Sequence, residues 1–442
     1  MVFSIKLLNT LILLLTATTF TKSESAEHVP IKVEIVQENG SFIIYRNGEP
    51  YFIKGARTLG TRYMEQVAEY GGNSVRVGYG DGLHAVLDRA LELELTVLAG
   101  LPVRAERDGF DYSDPQMVEQ QFSRIREIVE VHMNHPALLM WVIGNELDHI
   151  PGNIPYDLKM WNAVNDIAEM IQEIDPMHPV MTVIGTGMPE KLADLMERAP
   201  SIDLLGINAY ADLYHVPGWL DEYGWNKPFA VTEWGPSGHW EVPRTSWGAV
   251  IEETSSEKGS LYKQKYREII EADPRSVGSY AFLWTSNRME RTHTWYNMFY
   301  DDGSEKEAVH VMRYVWTGEW PSNRAPRIEK LMINGMQATD NITLMPGTLQ
   351  TAAVEAFDPD GDSLHTKWEL LPELSEFAAY AGQGETKPES IKGFIEYIGE
   401  TKFEISFRIP EEAGKTYRLF VYVHDGNGNI GVANIPFLVR EE

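Results

Sequence analysis

The chain has no cysteine in 442 residues. That excludes disulfides, a lipidated cysteine anchor and zinc–thiolate sites. Positive charge is scarce: 38 Lys and Arg face 65 Asp and Glu, for a formal net charge of −27. Such a surface repels nucleic acid and anionic membranes, so neither is expected as a partner. It also argues against a polyanionic polysaccharide, unless a local basic groove overrides it. Beyond the N-terminus no run is apolar and long enough to cross a bilayer. Internal repeats and low-complexity tracts are absent too.

What is there is rich in aromatics, with 12 Trp and 20 Tyr. Aromatic faces suit the C–H faces of sugars, although most such side chains fill cores. The N-terminus carries Lys6, an apolar stretch from Leu7 to Phe20, then small and polar residues. This pattern predicts a secretory leader over residues 1–25, cut after Ser25, and hence a secreted or periplasmic protein without a membrane anchor once the leader is removed.

Over residues 26–51, two alternating runs flank the turn signal Asn39-Gly40 and predict a small hairpin. From 52 to 320 strand and helix patterns alternate. Strands are expected at 52–56, 74–78, 96–101, 138–143, 180–184, 204–208, 229–232 and 279–284. Helical spacing appears at 83–93, 115–133, 156–174 and 261–272, and Asp114-Pro115 is a cap-then-proline start. Eight strand–helix pairs predict an α/β fold, a (β/α)8 TIM barrel. An open doubly wound sheet would show a Gly-rich first turn, which Lys54-Gly55-Ala56-Arg57 is not. Residues 321–326, with two prolines, read as a linker. Residues 327–442 show only short strands and turns, the pattern of an immunoglobulin-like β-sandwich.

Two acidic motifs end barrel strands: Trp141-Val142-Ile143-Gly144-Asn145-Glu146 and Val231-Thr232-Glu233-Trp234-Gly235. Two carboxylates at the mouth of one barrel are what cleavage of a glycosidic bond needs. One protonates the leaving oxygen and the other attacks the sugar carbon. The acid must hold its proton near neutral pH, through apolar surroundings or a nearby negative charge. For Glu146, Trp141 and Ile143 supply the first and Glu233 the second. Asn145 is a candidate donor to a sugar hydroxyl. Loops after the last two strands carry Trp240, Trp295 and Tyr296, candidate sugar platforms or loop packing.

These residues resemble a clan A glycoside hydrolase, and most of all the barrel domain of glycoside hydrolase family 2. Gly144-Asn145-Glu146 and Thr232-Glu233-Trp234-Gly235 match its acid/base and nucleophile motifs in order and strand position. Asn73-Ser74-Val75-Arg76 is similar to the strand-two motif, Asn208-Ala209-Tyr210 to the strand-six motif, and Trp284 to the strand-eight Trp that floors the first subsite. The resemblance implies that Arg76 is the ion partner of Glu233, the other reading being a core salt bridge, and that Tyr210 orients Glu233, the other reading being a cap on the barrel. The resemblance implies a retaining mechanism with Glu146 as acid/base and Glu233 as nucleophile, a carbohydrate substrate, and no metal or organic cofactor. The family's preceding jelly-roll and immunoglobulin-like modules have no counterpart here. Strand one lacks the usual Asn and His, and strand three ends Gly100-Leu101-Pro102 without an obvious polar ligand. These departures favour an open groove and a polysaccharide; the clan's habits and the acidic surface point to a β-glucan.

In the last domain, Asp358-Pro359-Asp360-Gly361-Asp362 resembles the turn of cadherin-like modules, and Asp425-Gly426-Asn427-Gly428-Asn429 is placed to approach it. Asp358, Asp360 and Asp362 are therefore calcium candidates; the other reading is an Asx-rich turn without metal. Three functions compete: a secreted retaining β-glycoside hydrolase, a β-glucan transglycosylase with the same two glutamates, and a non-catalytic glycan-binding protein. Chains longer than the starting oligosaccharide would mark transfer. Binding without turnover would mark the third.

Overall fold

The computed structural model describes residues 29–149, 155–186, 191–374, 385–399 and 403–441. The expected leader, 1–25, lies outside the described residues. Among those described, no helix is long and apolar enough to cross a membrane.

Strands β1 (Val33–Glu38), β2 (Ser41–Arg46) and β3 (Glu49–Tyr51) form an antiparallel sheet, one short strand more than a hairpin. The sheet plugs the N-terminal end of the barrel. Val33 and Ile44 are buried against the barrel interior, and the Val33 and Phe42 amides donate to the carbonyls of Met177 and Pro274.

Eight parallel strands close the barrel: β4 (Ile53–Thr58), β5 (Ser74–Val77), β6 (Thr96–Leu101), β7 (Leu138–Asn145), β8 (Val180–Gly185), β9 (Leu204–Asn208), β10 (Phe229–Trp234) and β11 (Ser276–Trp284). The barrel is filled by side chains such as Leu98, Met140, Met181, Val183 and Tyr280. A thicker apolar layer packs the outer faces against the helices. Most of β6 to β11 is thus dry on both faces, which is why these strands read largely as apolar runs and not as alternating ones; β4 and β5 instead carry Lys54, Arg57 and Arg76.

The expected helices appear at Leu83–Glu92, Pro115–His132, Lys159–Ile174 and Ser255–Lys265. Asp114 caps the second, its carboxylate accepting from the Gln116 amide at 2.8 Å. Thr254 and Glu257 form a reciprocal capping box on the last, so it starts six residues before its apolar pattern suggests. Short helices at Met64–Glu69, Lys191–Arg198 and Val216–Glu222, and an amphipathic one at Glu307–Thr317, complete the ring.

The C-terminal region holds two four-stranded sheets. One has the order β12 (Arg327–Ile333), β14 (Leu349–Phe357), β17 (Glu404–Arg408), β16 (Ile395–Ile398). The other has the order β13 (Thr343–Leu344), β19 (Ile430–Val439), β18 (Thr416–His424), β15 (His365–Pro372). Leu419, Val421 and Val423 of β18 point into the sandwich core. The alternate residues Arg418, Phe420 and Tyr422 are buried as well, against barrel-top loops. The sandwich therefore packs on the barrel through a whole sheet face.

Buried charge concentrates at this junction. Glu252 accepts from Lys258 at 2.6 Å, Thr292 at 2.6 Å, Thr294 at 2.8 Å and Asn434 of the sandwich at 2.6 Å. Burial would raise its pKa, but Lys258 and these donors outweigh it and hold it down at about 2. His293, buried beside Phe420, is held at about 3, chiefly by desolvation. Both groups have folded-state pKa values below their unfolded ones. Their stabilisation is complete above the unfolded values, about 6.5 for His and 4.3 for Glu, and is lost as pH falls towards the folded values. The urea midpoint of the full chain should therefore drop between pH 7 and pH 3.5. In Glu252→Gln the midpoint at pH 7 should be lower and the drop shallower. An unchanged acid slope in that variant would contradict the assignment.

Candidate active site

Register places the polar residues at one level. Asn208 at the end of β9 pairs with Gly185 of β8 on one side and Glu233 of β10 on the other. Asn145 ends β7, Arg76 lies inside β5, and all of these open at the C-terminal mouth of the barrel.

Arg76 is 5% exposed and spans the mouth. Its Nη1 donates to Glu233 Oε1 at 2.6 Å and to the Thr232 carbonyl at 3.1 Å; its Nη2 donates to Asn145 Oδ1 at 2.6 Å. The Tyr210 hydroxyl donates to the other oxygen, Glu233 Oε2, at 3.3 Å. Burial first, then the charge of Glu233, raises the Tyr210 pKa well above its ordinary value, so the phenol keeps its proton and remains a donor. Glu233 is thus held on both oxygens, by a guanidinium on one and a phenol on the other. From behind, Lys265 Nζ donates to the Gly235 carbonyl at 2.8 Å and fixes the turn that follows.

Glu146 stands in the opposite setting. Burial is the largest cause of its raised pKa, and the negative charge of Glu233 is the next. Asn208 Nδ2 donates to Glu146 Oε1 at 2.8 Å and pulls the other way. The amide is held in that orientation because Thr232 Oγ1 donates to Asn208 Oδ1 at 2.8 Å. Asp148, completely buried in an ion pair with Lys191, raises the Glu146 pKa further, and Lys191 lowers it.

The backbone delivers Glu146 by a strained turn. Gly144 has φ 76°, and a Cβ there would meet Leu147 at 2.5 Å. Glu146 itself has φ 48°, a left-handed conformation that costs about 1–2 kcal/mol for a residue with a Cβ. Arg107 holds the turn by donating to the carbonyls of Asn145, Glu146 and His149. Gly185 faces the carboxylate: a Cβ there would stand 3.3 Å from Glu146 Oε1. Asn208, Thr232, Arg107 and the Asp148–Lys191 pair are site residues that sequence reasoning missed. The Asn208 in Asn208-Ala209-Tyr210 carried a usable signal, being a strand-end amide. Arg107 carried none, because it lies in a loop whose strand end looked empty of polar ligands.

The structure brings Glu146, Glu233, Arg76, Asn145 and Tyr210 together. It does not bring Trp284 to them. The β11–β4 pairing slips between Ala281 and Trp284, so the inward–outward alternation fails there. Trp284 is 0% exposed and lies in the outer layer, its Nε1 donating to the Tyr63 carbonyl, its ring packed on Phe299 and Trp316. It cannot floor a sugar subsite. Phe282, edge-on to Tyr210 at 6.0 Å, occupies the inner position instead. Trp295 is also corrected: at 1% exposure, with Nε1 bonded to the Ser237 carbonyl, it packs the loops and offers no face. Tyr296 is buried beside Tyr210 and Phe282 in the same way. Trp240 alone of the proposed platforms is open, at 53% exposure, edge-to-face with Tyr210 at 5.5 Å.

In the sandwich, Asp358, Asp362 and Asp425 converge, with one oxygen of each within 4.8 Å of the others. Asp360 is not among them, because its carboxylate accepts from the Arg324 amide at 2.7 Å. Asp358 Oδ1 accepts from the amides of Asp360 and Asp362, the bonding of an Asx turn. Three carboxylates are ligands of the kind a hard cation takes, and here Asn323 and Asn427 Nδ2 donate to Asp362 and Asn429 Nδ2 donates to Asp425. They lie on the sandwich and not at the barrel mouth.

Residues 102–343 match the family model described as Glycosyl hydrolases family 2, TIM barrel domain. Beta-glucuronidase of Paenibacillus borealis is 22% identical over 271 residues, covering 55% of this chain and 43% of that protein. Beta-glucuronidase of Chlorocebus aethiops is 28% identical over 127 residues, 28% of this chain and 18% of that protein. The chain spans less than half the length of either. The crystal structure of Bacteroides uniformis beta-glucuronidase shares the fold, with a TM-score of 0.51 at 15% identity, covering 92% of this chain and 48% of that one. With the family model matching more than half of its residues, around the barrel mouth just described, the chain belongs to glycosyl hydrolases family 2 through its TIM barrel domain.

Proposed function

We propose that the protein is a retaining β-glycoside hydrolase in which Glu233 is the nucleophile and Glu146 the acid/base. The observation that carries this is the opposed setting of the two carboxylates: Glu233 lies on Arg76 and Tyr210, while Glu146 is desolvated beside two negative charges. A carboxylate paired with a guanidinium suits a nucleophile, and a neighbouring carboxyl whose pKa is raised suits a proton donor.

The reaction follows from that division. Glu233 attacks the anomeric carbon as Glu146 gives its proton to the departing glycosidic oxygen, leaving a glycosyl ester on Glu233. Glu146, now ionised and free of its proton, takes one from water. That water attacks the anomeric carbon, frees Glu233 and releases the sugar with its β configuration retained. Arg76 accommodates the carboxylate's charge as it is consumed and restored, at no cost in reorganisation.

The substrate we propose is a β-linked glycan, with a neutral β-glucan favoured by the net charge of −27 and by the open Trp240. A β-glucuronide is the competing substrate, suggested by the name of the curated relatives. The leader expected at residues 1–25 makes this a secreted or periplasmic enzyme.

Aryl β-glucosides, aryl β-glucuronides and β-glucan oligosaccharides should separate the substrates. On whichever is cleaved, Glu233→Gln should lose at least about 10^3-fold in kcat. Glu146→Gln should lose about 10^2–10^4-fold on a poor leaving group and far less on dinitrophenolate, which departs without a proton. Wild-type rates in Glu233→Gln would refute the assignment.

A pH prediction follows with a definite sign. Activity needs protonated Glu146, so kcat/KM falls as pH rises through its pKa. Asn208→Ala removes a bond to the anion and should move that alkaline limb to higher pH. Asp148→Asn removes a negative charge and leaves Lys191 uncompensated, so it should move the limb to lower pH. Shifts in the same direction for both would contradict the electrostatic assignment.

A further inference from the structure

The loops after β10 and β11 form one side of the barrel mouth, and the sandwich grips both. Arg418 Nη2 donates to the Val250 carbonyl at 2.8 Å, Asn434 Nδ2 to Glu252 at 2.6 Å, and His293 Nε2 lies 2.7 Å from the Tyr422 hydroxyl. A further connection runs on to the site. Glu385 of the sandwich accepts the backbone N–H of Arg291 at 2.6 Å, with the Arg291 guanidinium 3.8 Å from its other oxygen. Arg291 sits in a left-handed conformation at the loop tip, φ 61°, so this bond holds a strained residue in place.

Arg291 Nε then donates to His239 Nδ1 at 3.3 Å. Burial, with the charges of Arg291 and Arg244, keeps the imidazole neutral, its pKa lowered to about 4, so Nδ1 remains an acceptor. The His239 ring stands edge-to-face against Trp240 at 4.8 Å, and Trp240 against Tyr210 at 5.5 Å. Tyr210 in turn bonds Glu233. Of these rings only Trp240 presents a face to solvent; His239 and Tyr210 behind it are each 7% exposed.

An exposed indole backed by buried rings, one ring away from the candidate nucleophile, is placed for a sugar unit next to the one being cleaved. We propose that the C-terminal sandwich is a working part of the cleft: Glu385 and Arg291 are positioning residues that fix His239 and the Trp240 face, and so determine the binding of the second and later units of a β-linked glycan. The proposal rests on the hydrolase reading for its substrate class.

The test uses the full chain with two substrates of the same glycon, an aryl β-monoglycoside and an oligosaccharide. Trp240→Ala, Glu385→Gln and Arg291→Met are compared with wild type, with Tm measured for each. For each of the three variants, the rise in KM on the oligosaccharide should exceed any rise on the monoglycoside by about fivefold or more, with oligosaccharide kcat held within about twofold. Two results overturn the proposal. One is a raised KM in Trp240→Ala with none in Glu385→Gln. The other is an equal loss on both substrates together with a fall in Tm, the mark of a purely structural contact. If wild type cleaves neither substrate the hydrolase reading fails. Calorimetry with the oligosaccharide then decides this proposal separately: weakened binding in all three variants supports it, and unchanged binding in Glu385→Gln overturns it.

Discussion

The bridge made by Arg76 is the interaction on which the rest of the mouth depends. One buried guanidinium joins β5 to the ends of β7 and β10, reaching Asn145 with one nitrogen and Glu233 with the other. A buried cation is tolerated only when its donors are paired, and an Arg fork pairs two partners in a fixed plane. The positions of Asn145 and Glu233 are therefore fixed relative to each other by one rigid group. Glu146, the next residue after Asn145, inherits that placement. Asn208 closes the ring, because its Nδ2 reaches Asn145 at 3.1 Å and Glu146 at 2.8 Å while Thr232 holds its carbonyl.

The site is also where the backbone departs from its ordinary preferences. Gly144 and Glu146 both lie at positive φ, and the turn they make is held by Arg107 from the neighbouring loop. Strain of this size persists only where surrounding bonds over-determine it. Here it turns a carboxylate away from the run of the strand and into the space left by Gly185. Desolvation and the charge of Glu233 then act on a group that cannot swing away from them.

Much of the architecture was legible because most barrel strands are dry on both faces and so write apolar runs, as β7 and β11 do. The helix Pro115–His132 announced itself by its Asp-Pro start. The helices Met64–Glu69 and Val216–Glu222 did not, being too short to complete an apolar stripe. At the site, strand ends gave the positions of Glu146 and Glu233, because a strand end in a barrel is a place at the mouth, while Arg76, inside β5, was marked only by its likeness to the strand-two motif. They did not give the direction of Trp284, since a register slip late in β11 cannot be read from composition. Trp295 and Trp240 look alike in sequence; only the packing of Ser237 and Lys258 around one of them separates a buried ring from an open one. The junction with the sandwich was hidden for a related reason. Arg418 and Tyr422 occupy the outward positions of β18, which in an isolated sandwich would face water.

All of this converges on one carboxylate, that of Glu233, paired with Arg76 and aimed by Arg76 and Tyr210. Its role as nucleophile is tested most directly by trapping. A 2-deoxy-2-fluoro β-glycoside with a dinitrophenolate leaving group slows release of the glycosyl ester more than its formation. Digestion and mass spectrometry then locate the label. A fluoroglycosyl adduct on the peptide containing Glu233, at Glu233 itself, is the result expected. An adduct on Glu146, or rapid turnover of an accepted glycoside with the configuration inverted and no adduct, would contradict it.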